Sequence, residues 1–196
     1  MVPKIIFKYS WIYNQHWREV YRKDKNYPSE KEILSYIKKV ENLWRKDEKT
    51  ILKEFEVVSG LRWQEKSTVC YVVGRCISFS DPLTIMVYKE LPLDYFVDVL
   101  THELVHQLFT QNDNSRKSKK TWNYFHRKYK SENHNTIIHI PVCAMHSHIF
   151  LKYFGQTRLE REIKSLSNLP TYKSAWDIVE REGYQNIIKE FKRRIN

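Results

Sequence analysis

Glycine is scarce in this chain, at four of 196 residues. That argues against a glycine-rich nucleotide loop and against a turn-dense β-sandwich. Cysteine is scarce as well. Cys70, Cys76 and Cys143 are odd in number and form no C-x-x-C pair, which excludes a disulfide framework or a four-cysteine zinc site and fits a reducing compartment. No apolar run approaches the roughly 20 residues of a membrane span. The segment Met1 to Lys8 holds no stretch long enough for a signal peptide, so the expectation is a cytoplasmic protein with no membrane partner. Acidic residues are the minority, 23 against 34 basic, for a net charge of +11. Such a surface attracts polyanions. It reads either as ordinary lysine-rich solvation or as the footprint of a nucleic-acid or acidic-polypeptide partner. What is abundant is apolar and aromatic: 41% and 14% of the chain. That is enough for one domain over residues 1–196 with a core built largely from rings.

Along the chain, Lys4 to Ser10 alternates and predicts a first strand, while Trp11 to Tyr27 is ambiguous. Ser29 and Glu32 form a capping-box signature. Apolar residues then recur at Ile33, Ile37, Val40, Trp44, Ile51 and Phe55, which predicts one long amphipathic helix to about Val58, ending near Gly60. The period then shortens. Leu61-Arg62-Trp63, Thr68 to Val73, Cys76 to Phe79 and Leu83 to Tyr88 read as three or four strands of a small antiparallel or mixed sheet. Pro92 introduces a second helix, running to about Thr110 with Asp94 near its positive end. Gln111 to Thr121 reads as a loop carrying Arg116, Lys117, Lys119 and Lys120, with a short helix over Trp122 to Tyr129. Pro141 to Phe154 predicts a helix opened by its proline and closed at Gly155. Ser174 to Glu182 and Gln185 to Arg194 predict two more, broken at Gly183. The six tryptophans are scattered and read as packing rather than as base-stacking platforms.

The chemistry sits at His102-Glu103-Leu104-Val105-His106. Two histidines four apart on a helix point the same way, about 6 Å apart along the axis, so their imidazoles can share one ion. Zinc accepts neutral imidazole and favours a tetrahedral shell. Glu103 adjoins the first histidine, where a carboxylate can take a proton from a water made acidic by the metal. His102 and His106 avoid the apolar stripe of Leu93, Phe96, Val97, Leu100, Leu104 and Leu108.

In these residues the chain resembles the zincin-like metallopeptidases, whose pattern is a backing helix, a small sheet with a substrate-aligning edge strand, and then the H-E-x-x-H helix. Ser29 to Val58, Leu61 to Tyr88 and Leu93 to Thr110 follow that order. The resemblance implies an α+β zincin-like fold, with residues 1–110 carrying sheet and active-site helix and 111–196 a mainly helical part. It also implies zinc on His102 and His106, Glu103 as general base, a peptide or protein substrate, and Leu83 to Tyr88 as the edge strand. The metzincin extension is absent: Phe109 stands in place of its glycine and Asn112 in place of its third histidine.

Catalytic zinc usually has three protein ligands, and five of the eight histidines fall between positions 126 and 148. His139 is favoured as the third ligand, ahead of His146, with Cys143 and Glu132 as weaker alternatives. His146, Tyr172 and Tyr184 are candidates to stabilise an oxyanion. The expectation is therefore a zinc metallopeptidase. Alternatives are a basic, non-enzymatic nucleic-acid-binding protein with structural histidines, or a peptidase acting on nucleic-acid-associated proteins.

Overall fold

A computed structural model of the chain describes residues 2–195. The chain is α+β, mainly helical with a small mixed four-stranded sheet, and divides into two compact units. No helix among the described residues is long and apolar enough to cross a membrane.

The first unit comprises Met1–Leu52 with Glu65–Gln107. It holds strand β1 (Lys4–Lys8), helices α1 (Trp11–Val20) and α2 (Glu30–Trp44), and strands β2 (Ser67–Val73), β3 (Phe79–Ser80) and β4 (Leu83–Met86). The sheet order is β1-β2-β4-β3; β1, β2 and β4 run parallel and β3 antiparallel. Three parallel strands explain the near-continuous apolar character of Val69 to Val73 and Leu83 to Ile85, since parallel sheets are covered on both faces. The edge expected at Leu83 to Tyr88 needs correction at its start: the two-residue β3 pairs with Leu83 and Thr84, which makes β4 an inner strand there, whereas among the described residues Ile85 and Met86 pair on the β2 side alone.

Ser29 caps α2 through the capping box anticipated from the sequence, with its hydroxyl accepting from the Glu32 N–H and Glu32 bonding back to the Ser29 N–H. The long helix expected to Val58 is two helices: α2, and α3 (Glu48–Ser59). The break puts the buried Glu48 carboxylate where it accepts from the Ile5 N–H at 2.8 Å, from Trp44 Nε1 at 3.2 Å and from Arg45 at 2.6 Å. Arg45 also donates to the Ile5 carbonyl at 2.7 Å. A helix unbroken through residues 45–47 would carry that acid past β1. Continuous apolar spacing could not reveal this, because both halves bury the same stripe.

The second unit, Lys53–Gln64 with Leu108–Asn196, is helical: α5 (Arg116–Lys128), α6 (His134–Ile149), a π-helical turn (Phe150–Phe154), α7 (Gln156–Leu166), α8 (Pro170–Glu182) and α9 (Tyr184–Ile195). Helix α4 (Asp94–Thr110) carries the H-E-x-x-H motif, all five residues of which belong to the first unit. The loop expected over Gln111 to Thr121 is instead largely α5, capped by Ser115, whose hydroxyl accepts from the Ser118 N–H at 3.0 Å. Pro141 does not open α6. Asn133 does, accepting from the Thr136 N–H at 2.9 Å, and the proline lies inside the helix. α7, unanticipated, begins after Gly155, whose φ of 87° ends the preceding turn.

Candidate metal centre

α4 is buried on nearly every side: Leu100 through Val105 are all buried, the polar residues included. A helix apolar all round gives no amphipathic stripe, and polar groups inside it must therefore serve each other or a ligand. His102 is 5% exposed and Glu103 8%, while His106 is half-buried. The two imidazoles face one another with ring centres 5.0 Å apart. Their Nε2 atoms lie 3.3 Å apart.

That separation provides a test of fit. Zinc–nitrogen bonds of about 2.0–2.1 Å in a tetrahedral shell put neighbouring nitrogens about 3.3–3.4 Å apart. An ordinary N–H hydrogen bond is shorter, about 2.7–3.2 Å. The pair is thus spaced as an edge of a zinc tetrahedron, and the donor set, two imidazole nitrogens of like type, suits that metal.

Within the same unit the Glu103 charge acts on Cys70, Cys76 and Tyr88. Burial, eased by a hydrogen bond from Ser78 and reinforced by the Glu103 charge, pushes the Cys76 thiol up to about 12. Burial first, then Cys76 and Glu103, holds Cys70 well above the usual thiol range. Burial likewise raises the Tyr88 phenol, with Glu103 adding to it, and Ser78 Oγ lies 3.0 Å from the Tyr88 hydroxyl. Protonated thiols are poor nucleophiles and poor ligands, so burial leaves Cys70 and Cys76 ill suited to either role. Below the motif, the Gln107 side-chain amide donates to the Ser80 carbonyl, fixing α4 to β3.

Sequence reasoning passed over Asp98. It is fully buried, one helical turn before His102 and 40° from it around the axis. The available signal was an acid four residues before the first histidine of an otherwise apolar helix.

In the second unit, His139 lies on α6, half-buried. Its Nδ1 lies 2.7 Å from the Asn135 carbonyl oxygen, one turn back. A carbonyl can only accept, so Nδ1 carries the proton and Nε2 the lone pair, the tautomer a metal-ligating histidine needs. Burial lowers the His139 pKa, against a smaller opposite effect of that hydrogen bond, and favours the neutral ring. The Tyr172 ring stands 4.3 Å from it, centre to centre. His146, the first alternative, is fully buried with its ring 4.2 Å from Phe150 and 6.5 Å from Trp176. Cys143 is buried, its thiol raised by burial and then by Glu162, which makes a thiolate ligand costly. Glu132 accepts from the Ser174 hydroxyl at 2.7 Å. Tyr184 packs towards His148, with rings 6.2 Å apart. Glu162, 4% exposed on α7, is a buried acid that sequence reasoning did not single out, because α7 itself was not anticipated. Its signal was the spacing of Leu159 and Glu162 after Gly155.

No protein-family model matches the sequence, and neither a curated protein nor a solved structure matches it.

Proposed function

We propose that this chain is a zinc-dependent metallopeptidase, with His102, His106 and His139 as the metal ligands and Glu103 as general base. The observation that carries the reading is the 3.3 Å separation of two helix-borne Nε2 atoms beside a buried carboxylate. For His139 the support is its tautomer, set by Asn135. The chemistry zinc supplies in such a site is acidification of water and polarisation of a carbonyl. The chain's own residues do the rest. Glu103 accepts the proton of the attacking water and delivers it to the departing amine, so one carboxylate serves as base and then as acid. Tyr172 is favoured as the group that steadies the developing oxyanion, because its phenol ring packs on His139.

Peptides or unfolded protein are the substrate class this reading implies. The alternative, a non-enzymatic nucleic-acid-binding protein, leaves the three histidines with structural duties only. Glu103→Gln separates the two. It keeps the side-chain shape but not the base, so zinc content should stay unchanged while turnover of an unfolded protein falls at least 100-fold. Hydrolysis preserved in Glu103→Gln removes that residue from the mechanism.

A further inference from the structure

Helix α5 has an unusual charge distribution. From Asn114 to Ser131 the chain contains no Asp or Glu, yet it carries seven Lys and Arg. Of these, Lys128 is committed, 2.8 Å from both Glu182 and Glu190. Arg116, Lys119, Lys120 and Arg127 are exposed, and among the described residues none of the four has an ion-pair partner. Helical geometry puts Arg116, Lys120, Asn123 and Arg127 within 60° of one another around the axis, with Lys119 flanking them. The row extends about 6 Å from Arg116 to Lys120 and about 16 Å to Arg127. Its start coincides with the positive end of the helix.

The opposite face of α5 is packed. Ser118, Thr121 and Phe125 are buried. Trp122 stacks among Phe109, Phe125 and Phe191, with ring centres 5.4–6.3 Å away. Tyr124 is held by Glu190 and covered by the Arg194 guanidinium. His126 stacks on His134, ring centres 5.0 Å apart, so each ring of α5 is already engaged within the protein rather than held out for a base to stack on.

We propose that this face of α5 docks a nucleic-acid duplex through its phosphates, without reading sequence. Duplex DNA carries one negative charge per about 1.7 Å of axis, so a straight row of four cations over about 16 Å always meets several phosphates. An anionic membrane fits less well, because the exposed face offers cations and Asn123 but no apolar side chain to insert. Single strands fit less well because they are held largely by stacking. Phosphate contacts alone give position and affinity and leave sequence unread.

The test is fluorescence anisotropy of the full chain with a labelled mixed-sequence 20-bp duplex, between 50 and 200 mM KCl. Four phosphate contacts predict log K falling with log[salt] at a slope of about −3 to −4. Replacing Arg116, Lys119, Lys120 and Arg127 together by Gln should flatten that slope by about three and weaken binding at least tenfold at 100 mM. A charge-matched control, Lys23, Lys25, Lys46 and Lys49 to Gln, changes four exposed lysines of the first unit and should bind within threefold of wild type. Equal losses in the two variants overturn the proposal, since net charge alone would then explain binding. So does tighter binding to single-stranded DNA or RNA, to polyglutamate, or to phosphatidylserine vesicles than to the duplex. Should the four-site variant not fold by circular dichroism, acetylation footprinting of the wild type decides. Duplex should protect Lys119 and Lys120, and their unaltered labelling contradicts the assignment.

Discussion

One hydrogen bond, from His139 Nδ1 to the Asn135 carbonyl, decides which ring nitrogen of that histidine is available for coordination. This level of detail was not legible in the sequence. Spacing could place His102 and His106 on one face, because four residues of helix fix that geometry. It could not give the tautomer of a histidine whose partner is a backbone atom. It also could not foresee that the rings of Phe150 and Trp176 pack around His146, the first alternative to His139. Buried acids were similarly hidden. Glu54, on α3, accepts from His148 Nε2 at 2.8 Å, the Tyr153 hydroxyl at 2.9 Å and Lys152 at 2.9 Å. Burial acts to raise its pKa, but the bonds from Lys152, His148 and Tyr153 outweigh it and hold the carboxyl below its ordinary value. A carboxylate lowered in the folded state stabilises above its unfolded pKa, and that contribution is lost as pH falls through the folded value. Glu54→Gln should therefore cost on the order of 2 kcal/mol at pH 7. It should also make the decline in thermal midpoint below about pH 4.5 shallower than in wild type. Parallel melting curves over pH 7 to 3 read both effects, and an identical acid profile in the two proteins would refute the role given to Glu54.

At the scale of elements, local signals worked where they were chemical and failed where they were only periodic. The capping box at Ser29 and Glu32 located α2, and the β-branched runs located β2 and β4. The break between α2 and α3 escaped because Glu48's partners lie on β1, 43 residues away. The helix expected over Trp122 to Tyr129 is the second half of α5; its first half, Arg116 to Thr121, reads as loop because charged residues dominate its composition, while the buried Ser118, Thr121 and Phe125 that anchor the helix form a stripe with one large apolar member. Pro141 misled through a sound rule. Proline favours a helix's first turn, but here the helix had already started at Asn133's cap. Gly74 is a position where the sequence hinted at a boundary and the structure gives the reason. Its N–H donates to Asn14 Oδ1 at 2.9 Å, and a Cβ there would stand 2.3 Å from the Tyr27 ring, whose hydroxyl also bonds Asn14. Gly74→Ala should destabilise the protein by about 1–3 kcal/mol through displacement of that ring. Urea denaturation measures it, and an unchanged midpoint would show that Tyr27 moves aside freely.

Over the whole molecule, composition bounded the class well: a mainly helical α+β chain with a ring-rich core, in which Trp44, Trp63 and Trp176 are buried. The net charge of +11 was visible from the outset, but its distribution was not, since an acid-free helix face exists only once α5 is folded. The same holds for the candidate centre. Its H-E-x-x-H residues are written plainly in the chain, whereas the 3.3 Å spacing that suits zinc is a property of the packed rings. Whether those rings hold a metal is decided by zinc titration of the metal-free protein against a chromophoric chelator. One equivalent should bind per wild-type chain, with affinity falling at least 100-fold in His102→Ala and in His106→Ala. Wild-type protein that takes up no zinc, or uptake that both substitutions leave intact, would contradict it.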